Sequence, residues 1–146
     1  MQRFTMIASG YAFFIRDGNI LLSRRFHTGY EDGKYSLPAG HIEDNESLTT
    51  GTIREIKEEV GVILFPSDLT LVHVMHRKGD DIRMDFFFSV THWTKDPINM
   101  ETEKCDDLSW FPIDKLPNNT IPYIVSAIKM YQKNIFYSEF GWDERV

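Results

Sequence analysis

The alternation of apolar and polar side chains predicts a series of short strands combined with two longer helices. β-Forming residues fill positions 4–15, and Asp17-Gly18, a typical two-residue hairpin turn, precedes the apolar run 20–22. Further strands are predicted over 34–37, 69–76, 83–90 and 108–113, the last of these being the final strand. Polar and turn-forming residues predict loops over 28–33, 40–45, 78–81 and 94–107.

The first helix is predicted over 47–60, where apolar residues recur at the three- and four-residue spacing of one helix face. That apolar stripe consists of Ile53, Ile56 and Val60. Gly61 follows as a typical stop signal. The second helix is expected to begin after Thr120 as N-cap and carries an apolar stripe that continues to Tyr131.

Strands that surround only two long helices predict an α/β fold with a mixed β-sheet, formed by a single domain over residues 1–146. Aromatic residues make up 14% of the chain and charged residues 26%, which excludes a disordered chain. No apolar run approaches the length of a membrane span. Cys105 is the only cysteine, which excludes an intramolecular disulfide and a cysteine-based zinc site and favours a cytoplasmic location.

The tail over 135–146 is unusually aromatic for a chain end. We expect it to pack back on the sheet. A dimer contact and a flap over a substrate are the alternatives, so the chain is predicted to be a monomer or a homodimer.

Charge is distributed unevenly along the chain. The formal net charge of −6 argues against a nucleic-acid polymer as a partner. Residues 43–59 carry six carboxylates against two basic groups, and residues 101–107 carry four against one. The first 35 residues have, by contrast, more basic than acidic side chains. This distribution predicts a metal site that faces an anion site.

Three carboxylates of the first helix share one face. Glu55, Glu58 and Glu59 are three and four residues apart, and about 100° of rotation per residue groups them away from the apolar stripe. Like charges at this spacing destabilise a helix by about 0.2–0.5 kcal/mol. A hard cation such as Mg²⁺, which prefers oxygen ligands, would offset that repulsion. A solvated acidic helix face is the alternative.

These glutamates belong to a longer pattern that runs over residues 40–62. In order, it consists of Gly40, five residues, Glu46, seven residues, and then Arg54-Glu55-Ile56-Lys57-Glu58-Glu59-Val60-Gly61-Val62. At every specified position the pattern resembles the signature of the Nudix hydrolase family. The resemblance implies an α/β/α sandwich with a mixed β-sheet and two main helices. It also implies that the chain hydrolyses a nucleoside diphosphate linked to another group, with Mg²⁺ or Mn²⁺ as cofactor.

The resemblance also implies individual roles within this pattern. The residues that match metal ligands are Gly40, through its backbone carbonyl, and the side chains of Glu55, Glu58 and Glu59. Arg54 and Glu46 match a pair that orients the glutamates, as supporting residues around a metal commonly do. His41 is expected to face solvent rather than bind the metal.

A carboxylate must also accept the proton of the attacking water. In similar MutT-like proteins, a glutamate from the loop before the last strand can approach the metals. Glu103 is therefore predicted as the base and as a further metal ligand. The competing acids of the same loop are Glu101, Asp106 and Asp107. Glu58 or Glu59 are alternatives for the base.

Phosphate contacts are expected from the basic segment. Arg25 ends the second strand, where similar proteins carry a phosphate-binding basic residue, and strand alternation directs Arg24 to the other face. Lys34 and Arg77 are weaker candidates for the same role. In each case an ordinary surface cation is the alternative.

Contacts to the nucleobase are less well defined by the sequence. Phe26 and Tyr30 are candidates for stacking on a base. MutT-like enzymes that favour oxidised guanine can use an asparagine just before the last helix. Here Asn118 and Asn119 precede Thr120, which takes that position, so Asn119 is retained as a candidate without a prediction of oxidised-guanine specificity.

The resulting hypothesis is metal-dependent hydrolysis of a nucleotide pyrophosphate bond. The leading substrate is a nucleoside triphosphate, split to the monophosphate and pyrophosphate. Dinucleoside polyphosphates and nucleotide sugars are alternatives, because the pattern positions metal and pyrophosphate but not the rest of the substrate. A nucleotide-binding sensor without turnover and an acidic interaction module without metal are the alternatives from other functional classes.

Overall fold

The computed structural model describes residues 1–142, in which strands and helices alternate along the chain. The strands are β1 (Ile7–Phe13), β2 (Ile15–Arg16), β3 (Asn19–Arg25), β4 (Tyr35–Ser36), β5 (Ala39–His41), β6 (Leu69–Lys78), β7 (Ile82–Val90), β8 (Cys105–Pro112) and β9 (Tyr137–Phe140). The α-helices are α1 (Leu48–Val60) and α2 (Pro122–Gln132), and a 3₁₀ turn, Pro66–Asp68, precedes β6. Within residues 1–142, neither helix combines the length and the apolar character that crossing a membrane requires.

The strands form two sheets. The larger sheet has the order β5-β1-β7-β6-β9 and is mixed, because the pairs β1-β7 and β6-β9 are parallel and the other two pairs are antiparallel. In the smaller, antiparallel sheet, β3 pairs with β2, β4 and β8. The predicted α/β fold with a mixed sheet and two main helices is confirmed, with the difference that the strands divide between two sheets.

Each helix packs over its own hydrophobic core. Successive residues of β1 alternate between the two cores: Tyr11 and Phe13 pack in the core that contains α2, and Ala12 packs in the core that contains α1. Ile56 and Val60 of the predicted apolar stripe are buried in the second of these cores. The cavity described below lies where elements of both cores meet.

Both ends of α1 are capped, and the stop at Gly61 acts as predicted. The Ser47 hydroxyl caps the N-terminus by accepting a hydrogen bond from the Thr50 N–H at 3.1 Å. Gly61 ends the helix in the left-handed conformation, with φ of 72°, and its N–H donates to the Lys57 carbonyl at 3.0 Å. The predicted helix over 47–60 is therefore confirmed, with Ser47 as its cap.

α1 approaches β1 closely because Gly10 has no side chain. Thr52 of α1 is buried against this glycine, and a methyl group at position 10 would overlap its hydroxyl oxygen. In the β1-β5 pairing, Gly10 lies directly opposite Gly40. The two glycines therefore form a bare patch of sheet on which the helix rests.

Several predicted boundaries are wrong. The first strand ends at Phe13, because the Phe14 carbonyl turns to accept the Leu21 N–H at 3.0 Å. Thr120 does not cap α2: its hydroxyl donates to the Pro117 carbonyl at 2.8 Å. β8 begins at Cys105, inside the predicted loop over 94–107, and it is not the final strand, because β9 follows α2.

The aromatic tail packs back on the sheet, as predicted, over the strand β9. This strand pairs in parallel with β6 at the edge of the larger sheet. The buried side chain of His73 on β6 forms hydrogen bonds to this segment. Its ring nitrogens lie 2.7 Å from the Ile135 carbonyl and 2.8 Å from the Ser138 hydroxyl. A carbonyl can only accept, so Nδ1 carries the hydrogen and Nε2 accepts from Ser138 in the neutral imidazole. Residues 143–146 of the predicted tail lie outside the described residues.

The buried imidazole of His73 predicts a specific dependence of stability on pH. Burial lowers the pKa of His73, while the bond to Ile135 acts in the opposite direction. As pH falls below about 6.5, the unfolded chain therefore binds a proton more readily than the folded chain does. The free energy of unfolding decreases as a result. We expect the free energy of unfolding to fall less between pH 7.5 and pH 5.5 in His73→Phe than in the wild type. Denaturant titration across this range measures the difference.

The control is His92→Gln, which removes a largely exposed imidazole and is expected to retain the wild-type pH dependence. Identical slopes in His73→Phe and wild type would contradict the assignment of this acid sensitivity to His73.

Candidate metal centre and active site

A cavity of about 680 Å³ receives side chains from both sheets and both helices. The three glutamates predicted as metal ligands, Glu55, Glu58 and Glu59, all line it and define its α1 side. Tyr123 marks the α2 side of the same cavity. The structure therefore brings the predicted carboxylate face to a concave surface of the size that small-molecule ligands occupy.

Arg54 connects the acidic side chains around the start and middle of α1. Its guanidinium binds Glu46 through two hydrogen bonds, from Nη2 at 2.7 Å and from Nε at 3.0 Å. Nη1 donates to Glu55 at 2.9 Å and to Glu58 at 3.2 Å. The bond to Arg54 lowers the pKa of Glu46 to about 2, so this carboxylate stays ionised. The two hydrogen bonds to Glu46 fix the orientation of the Arg54 guanidinium, which in turn orients Glu55 and Glu58.

Gly40 and Glu55 occupy complementary space. The Glu55 side chain lies over the backbone at position 40, so closely that a methyl group there would overlap its Cγ and Cδ atoms. Burial raises the pKa of Glu55, and the charges of Glu58 and Glu101 add to this effect while Arg54 opposes it. The surroundings of Glu55 therefore oppose its ionisation although Arg54 lies beside it.

Glu59 is the most enclosed of the three glutamates, and Glu58 is the most exposed. The Glu59 carboxylate accepts the Ala39 N–H at 2.8 Å. Burial raises its pKa well above the usual value, and the charges of Glu55 and Glu101 act in the same direction. The Glu58 side chain, by contrast, is 53% exposed. The three carboxylates thus differ in environment although they share one helix face.

The loop before β8 brings one acid to this group. The Ile98 and Met100 N–H groups donate to the carbonyls of Val60 and Glu59, each at 3.0 Å. These bonds tie the loop to the last turn of α1. Glu101, the next residue, lines the cavity and acts electrostatically on Glu55 and Glu59.

Glu103, the acid selected from the sequence, does not line the cavity. It lies in the turn that leads into β8, and its side chain is exposed to solvent. The turn reverses the chain because the Lys104 and Cys105 N–H groups both donate to the Glu101 carbonyl at 2.9 Å. Of the two glutamates, the structure therefore brings Glu101 to the carboxylate group in place of Glu103.

Arg25 and Arg24 both reach the cavity, although strand alternation predicts opposite faces. The pairing of β3 with β8 shifts register between these two residues, and this bulge interrupts the alternation. The Arg24 guanidinium is paired with Asp106 at 2.7 Å. Arg25 is held by backbone and hydroxyl oxygens of the loop 28–30, and its charge lowers the pKa of Glu59 against the effect of burial. Of the two arginines, Arg25 is thus the one whose charge acts on Glu59.

Three side chains predicted to bind substrate lie outside the cavity lining. Lys34 forms an ion pair with Glu31 at 2.9 Å. Phe26 stacks on the imidazole of the next residue. The Asn119 amide donates to the Gly33 carbonyl at 2.9 Å and so joins the loops that precede β4 and α2. Each of these groups has a partner within the fold and does not line the cavity.

Two further predictions concern positions on the rim. Tyr30 lines the cavity, and the Arg25 guanidinium lies 5.3 Å from the centroid of its ring. His41 is exposed, as predicted, and accepts a hydrogen bond from Arg83 at 2.9 Å in the tautomer that leaves Nε2 without a proton. The rim near the glutamates therefore carries several basic groups.

Apart from Arg77, a weaker candidate for phosphate contacts that is buried and paired with Asp85, sequence reasoning missed a buried polar cluster on the α2 side of the cavity. The Asp85 carboxylate has no exposed surface and accepts from Arg77 Nε at 2.6 Å and from the Tyr11 hydroxyl at 3.1 Å. The Arg77 guanidinium lies 3.7 Å from the ring centroid of Tyr123, whose hydroxyl is 3.2 Å from that of Tyr11. Ser9, two residues before Tyr11, lines the cavity beside this cluster. The available signal was the presence of these polar groups inside otherwise apolar strands.

The carboxylates on the α1 side fit a hard divalent cation. Within residues 1–142, no three acidic, histidine or cysteine side chains converge into a ready-made cage, and Glu55 and Glu59 are instead hydrogen-bonded to Arg54 and to the Ala39 N–H. Yet Glu55, Glu59 and Glu101 all contribute negative charge to one partly buried region. Mg²⁺ commonly takes only one or two carboxylates and retains several waters, so such an open group of oxygen donors suits it.

Comparisons with known proteins agree in one family. A model of the NUDIX domain matches residues 6–132 of the chain. The NAD-capped RNA hydrolase NudC of Chromobacterium violaceum is 32% identical over 123 residues, which cover 76% of this chain and 40% of that protein. The chain therefore spans less than half the length of that relative. The 8-oxo-dGTP diphosphatase of Proteus vulgaris is 28% identical over 79 residues, 53% of this chain and 69% of that protein.

Solved structures give the same result. The crystal structure of a MutT NUDIX hydrolase from Burkholderia pseudomallei superposes with a TM-score of 0.78 at 26% sequence identity. The superposition covers 86% of this chain and 97% of the other.

The contact between Gly40 and Glu55 is testable by a rescue experiment. Gly40→Ala is expected to lower the free energy of unfolding by about 1–3 kcal/mol, because the added methyl group overlaps the Glu55 side chain. In Gly40→Ala/Glu55→Ala, the overlapping atoms are gone and most of the loss is expected to be recovered. Thermal and denaturant unfolding of the single and double variants measure this.

Gly79→Ala is the matched control, because a methyl group there meets no other atom within 4 Å. It is expected to change stability by less than about 0.5 kcal/mol. Equal losses in the single and the double variant at position 40 would show that Glu55 is not the obstacle.

Proposed function

The chain belongs to the Nudix hydrolase family, and we propose that it hydrolyses the pyrophosphate bond of a nucleotide with Mg²⁺ or Mn²⁺ as cofactor. The leading substrate class is a nucleoside triphosphate, which would yield the monophosphate and pyrophosphate. A relative named as an 8-oxo-dGTP diphosphatase supports this class. Dinucleoside polyphosphates and nucleotide sugars are the competing substrates.

The observation that carries the proposal is the concentration of carboxylates on the α1 side of a cavity that also receives Arg25. Glu55, Glu59 and Glu101 raise the local negative charge, and Arg25 lies close enough to oppose it. A pyrophosphate group bound with a divalent cation matches this arrangement, because the cation compensates the carboxylates and the arginine binds phosphate oxygens.

The cation would be held by the carboxylates of Glu55, Glu58 and Glu59 together with the Gly40 carbonyl. When bound, it neutralises phosphate charge and makes a water molecule more acidic. Arg54 and Glu46 position the carboxylates by the hydrogen bonds described above, and Gly40 leaves room for Glu55. These residues prepare the site for both the cation and the phosphate chain.

Hydrolysis also requires a base. The water oxygen forms a bond to one phosphorus, the bridging P–O bond breaks, and the water proton must pass to a carboxylate oxygen. We assign that proton to Oε of Glu101, because this glutamate lines the cavity beside Glu55 and Glu59. Glu58 and Glu59 are the alternative acceptors of the proton.

A direct test uses pyrophosphate and phosphate release from a panel of nucleotides with Mg²⁺ or Mn²⁺. Glu58→Gln and Glu59→Gln are expected to lower kcat by about 10²–10³. Without a divalent cation, Glu59→Gln is expected to melt at a higher temperature than the wild type, because it places a neutral amide where burial opposes a charge. The rise in melting temperature caused by Mg²⁺ is expected to shrink in both variants.

Glu139→Gln serves as the control, because Glu139 lies on β9 outside the cavity lining and its carboxylate accepts a hydrogen bond from the exposed Tyr137 hydroxyl. A kcat within threefold of the wild type for both Glu58→Gln and Glu59→Gln would contradict the assignment of metal ligands.

The two glutamates of the loop before β8 provide a second, internally matched test. Glu101→Gln is expected to lower kcat by about 10²–10⁴, the range for loss of a general base, with little change in KM. Glu103→Gln is expected to retain most of the activity, because its side chain is exposed outside the cavity lining. Steady-state kinetics of both variants decide the assignment, and a larger loss in Glu103→Gln would return the role to that residue.

A further inference from the structure

Two polar atoms of the cluster on the α2 side lack a partner within residues 1–142. Arg77 binds Asp85 through Nε at 2.6 Å and Nη2 at 3.4 Å, while its Nη1 forms no hydrogen bond in this part of the chain. The Ser9 hydroxyl is buried, lines the cavity and has no partner either. Buried polar groups are almost always hydrogen-bonded, so an unpaired hydroxyl in a cavity wall points to a ligand.

The hydrogen bonds of the cluster determine which groups are free to donate. The Tyr11 proton is directed to Asp85, so the Tyr11 oxygen is the acceptor for the Tyr123 hydroxyl. Both tyrosine protons are therefore used inside the cluster. Among the residues of this cluster, Ser9 and the Nη1 group of Arg77 are left as donors without a partner within residues 1–142.

The charge of the cluster is balanced. The Asp85 carboxylate cancels the charge of Arg77, and burial raises the pKa of Tyr11 and of Tyr123, which keeps both phenols neutral. An anionic group would therefore gain little net attraction from these residues. In β1 and β7, Ser9 lies directly opposite Asp85, so its hydroxyl joins the same neutral surface.

We propose that Ser9 and Arg77 determine substrate specificity by donating hydrogen bonds to a neutral oxygen acceptor on the nucleoside part of the substrate. The acceptor is an oxo group of the base or a hydroxyl oxygen of the sugar. This inference rests on the proposed function, because the phosphate chain would lie against the glutamates and Arg25. The remainder of the nucleotide would then extend to the α2 side of the same cavity.

Ser9→Ala tests the proposal with little risk to the fold, because the deleted hydroxyl has no partner to lose. Binding is measured by titration calorimetry in metal-free buffer with four matched probes, IMP against AMP and UMP against CMP, and with their 2′-deoxy forms. Each pair of probes exchanges an oxo group and the adjacent ring N–H for an amino group and an unprotonated ring nitrogen, and each 2′-deoxy form lacks one hydroxyl. Ser9→Ala is expected to weaken binding of the preferred probe about 3- to 10-fold, with an unchanged melting temperature.

The pattern across the probes identifies the acceptor. A base oxo group is the acceptor if the variant loses the wild-type preference for IMP over AMP or for UMP over CMP. A sugar hydroxyl is the acceptor if it loses the preference for ribose over deoxyribose. Ser89→Ala, a serine substitution on β7 outside the cavity lining, controls for general effects on the sheet.

Arg77 requires a paired substitution, since removing it alone would leave the Asp85 charge buried without a partner. Arg77→Met/Asp85→Asn removes both charges and retains an acceptor for Tyr11. It is expected to weaken binding of the preferred probe about 10- to 100-fold, the range for a charged donor.

The outcomes separate this inference from the proposed function. The inference alone would be overturned if the wild type hydrolyses nucleotides but Ser9→Ala keeps every probe preference, both in binding and in KM for the triphosphates. Absence of both binding and hydrolysis for every nucleotide in the wild type would overturn both.

Discussion

The close approach of α1 to β1 and β5 is the constraint on which the fold and the site both depend. Gly10 and Gly40 face each other across these strands, and the helix rests on the surface that they leave bare. Thr52 lies against the first glycine and Glu55, almost one helical turn later, against the second. The same contact that buries the apolar stripe of α1 therefore sets the position of a carboxylate in the cavity. A shift of the helix along its axis would disturb the core and the site together.

Arginine organises both sides of the cavity but leaves different groups unpaired. On the α1 side, Arg54 serves Glu46, Glu55 and Glu58 at once, and its single charge cannot balance all of them. The remainder is negative charge, which suits a cation. On the α2 side, Arg77 pairs with one carboxylate of the described residues, that of Asp85, and the two charges cancel. The groups left unpaired on this side are hydrogen-bond donors, and the cluster to which they belong has no net charge. One cavity therefore offers two chemically distinct surfaces to the two halves of an elongated ligand.

The sequence predicted best those features that depend on residues close together in the chain, such as helix α1 and its carboxylate face. A cap, an apolar stripe and a stop residue lie within fifteen residues of one another and specified α1. The same periodicity placed Glu55, Glu58 and Glu59 on one face. The strand β9 was not predicted as a strand, because its pairing with β6 depends on contacts that are distant in sequence.

The choice between Glu101 and Glu103 shows more clearly what local sequence cannot predict. Both lie in one polar loop, and nothing in their immediate neighbours distinguishes them. The difference arises from the hydrogen bonds of Ile98 and Met100 to the end of α1, and from the turn after Glu101. Such bonds join backbone groups, so side-chain type carries no signal for them.

The hydrogen bonds between this loop and the end of α1 also have a dynamic consequence. The carbonyls of Val60 and Glu59 have no partners within their own helix, and the loop supplies them, so loop and helix end form one cooperative unit. The amide hydrogens at positions 98 and 100 are expected to exchange with solvent only after these two bonds to the last turn of α1 break, and the acid that follows them is attached to the helix through the same bonds.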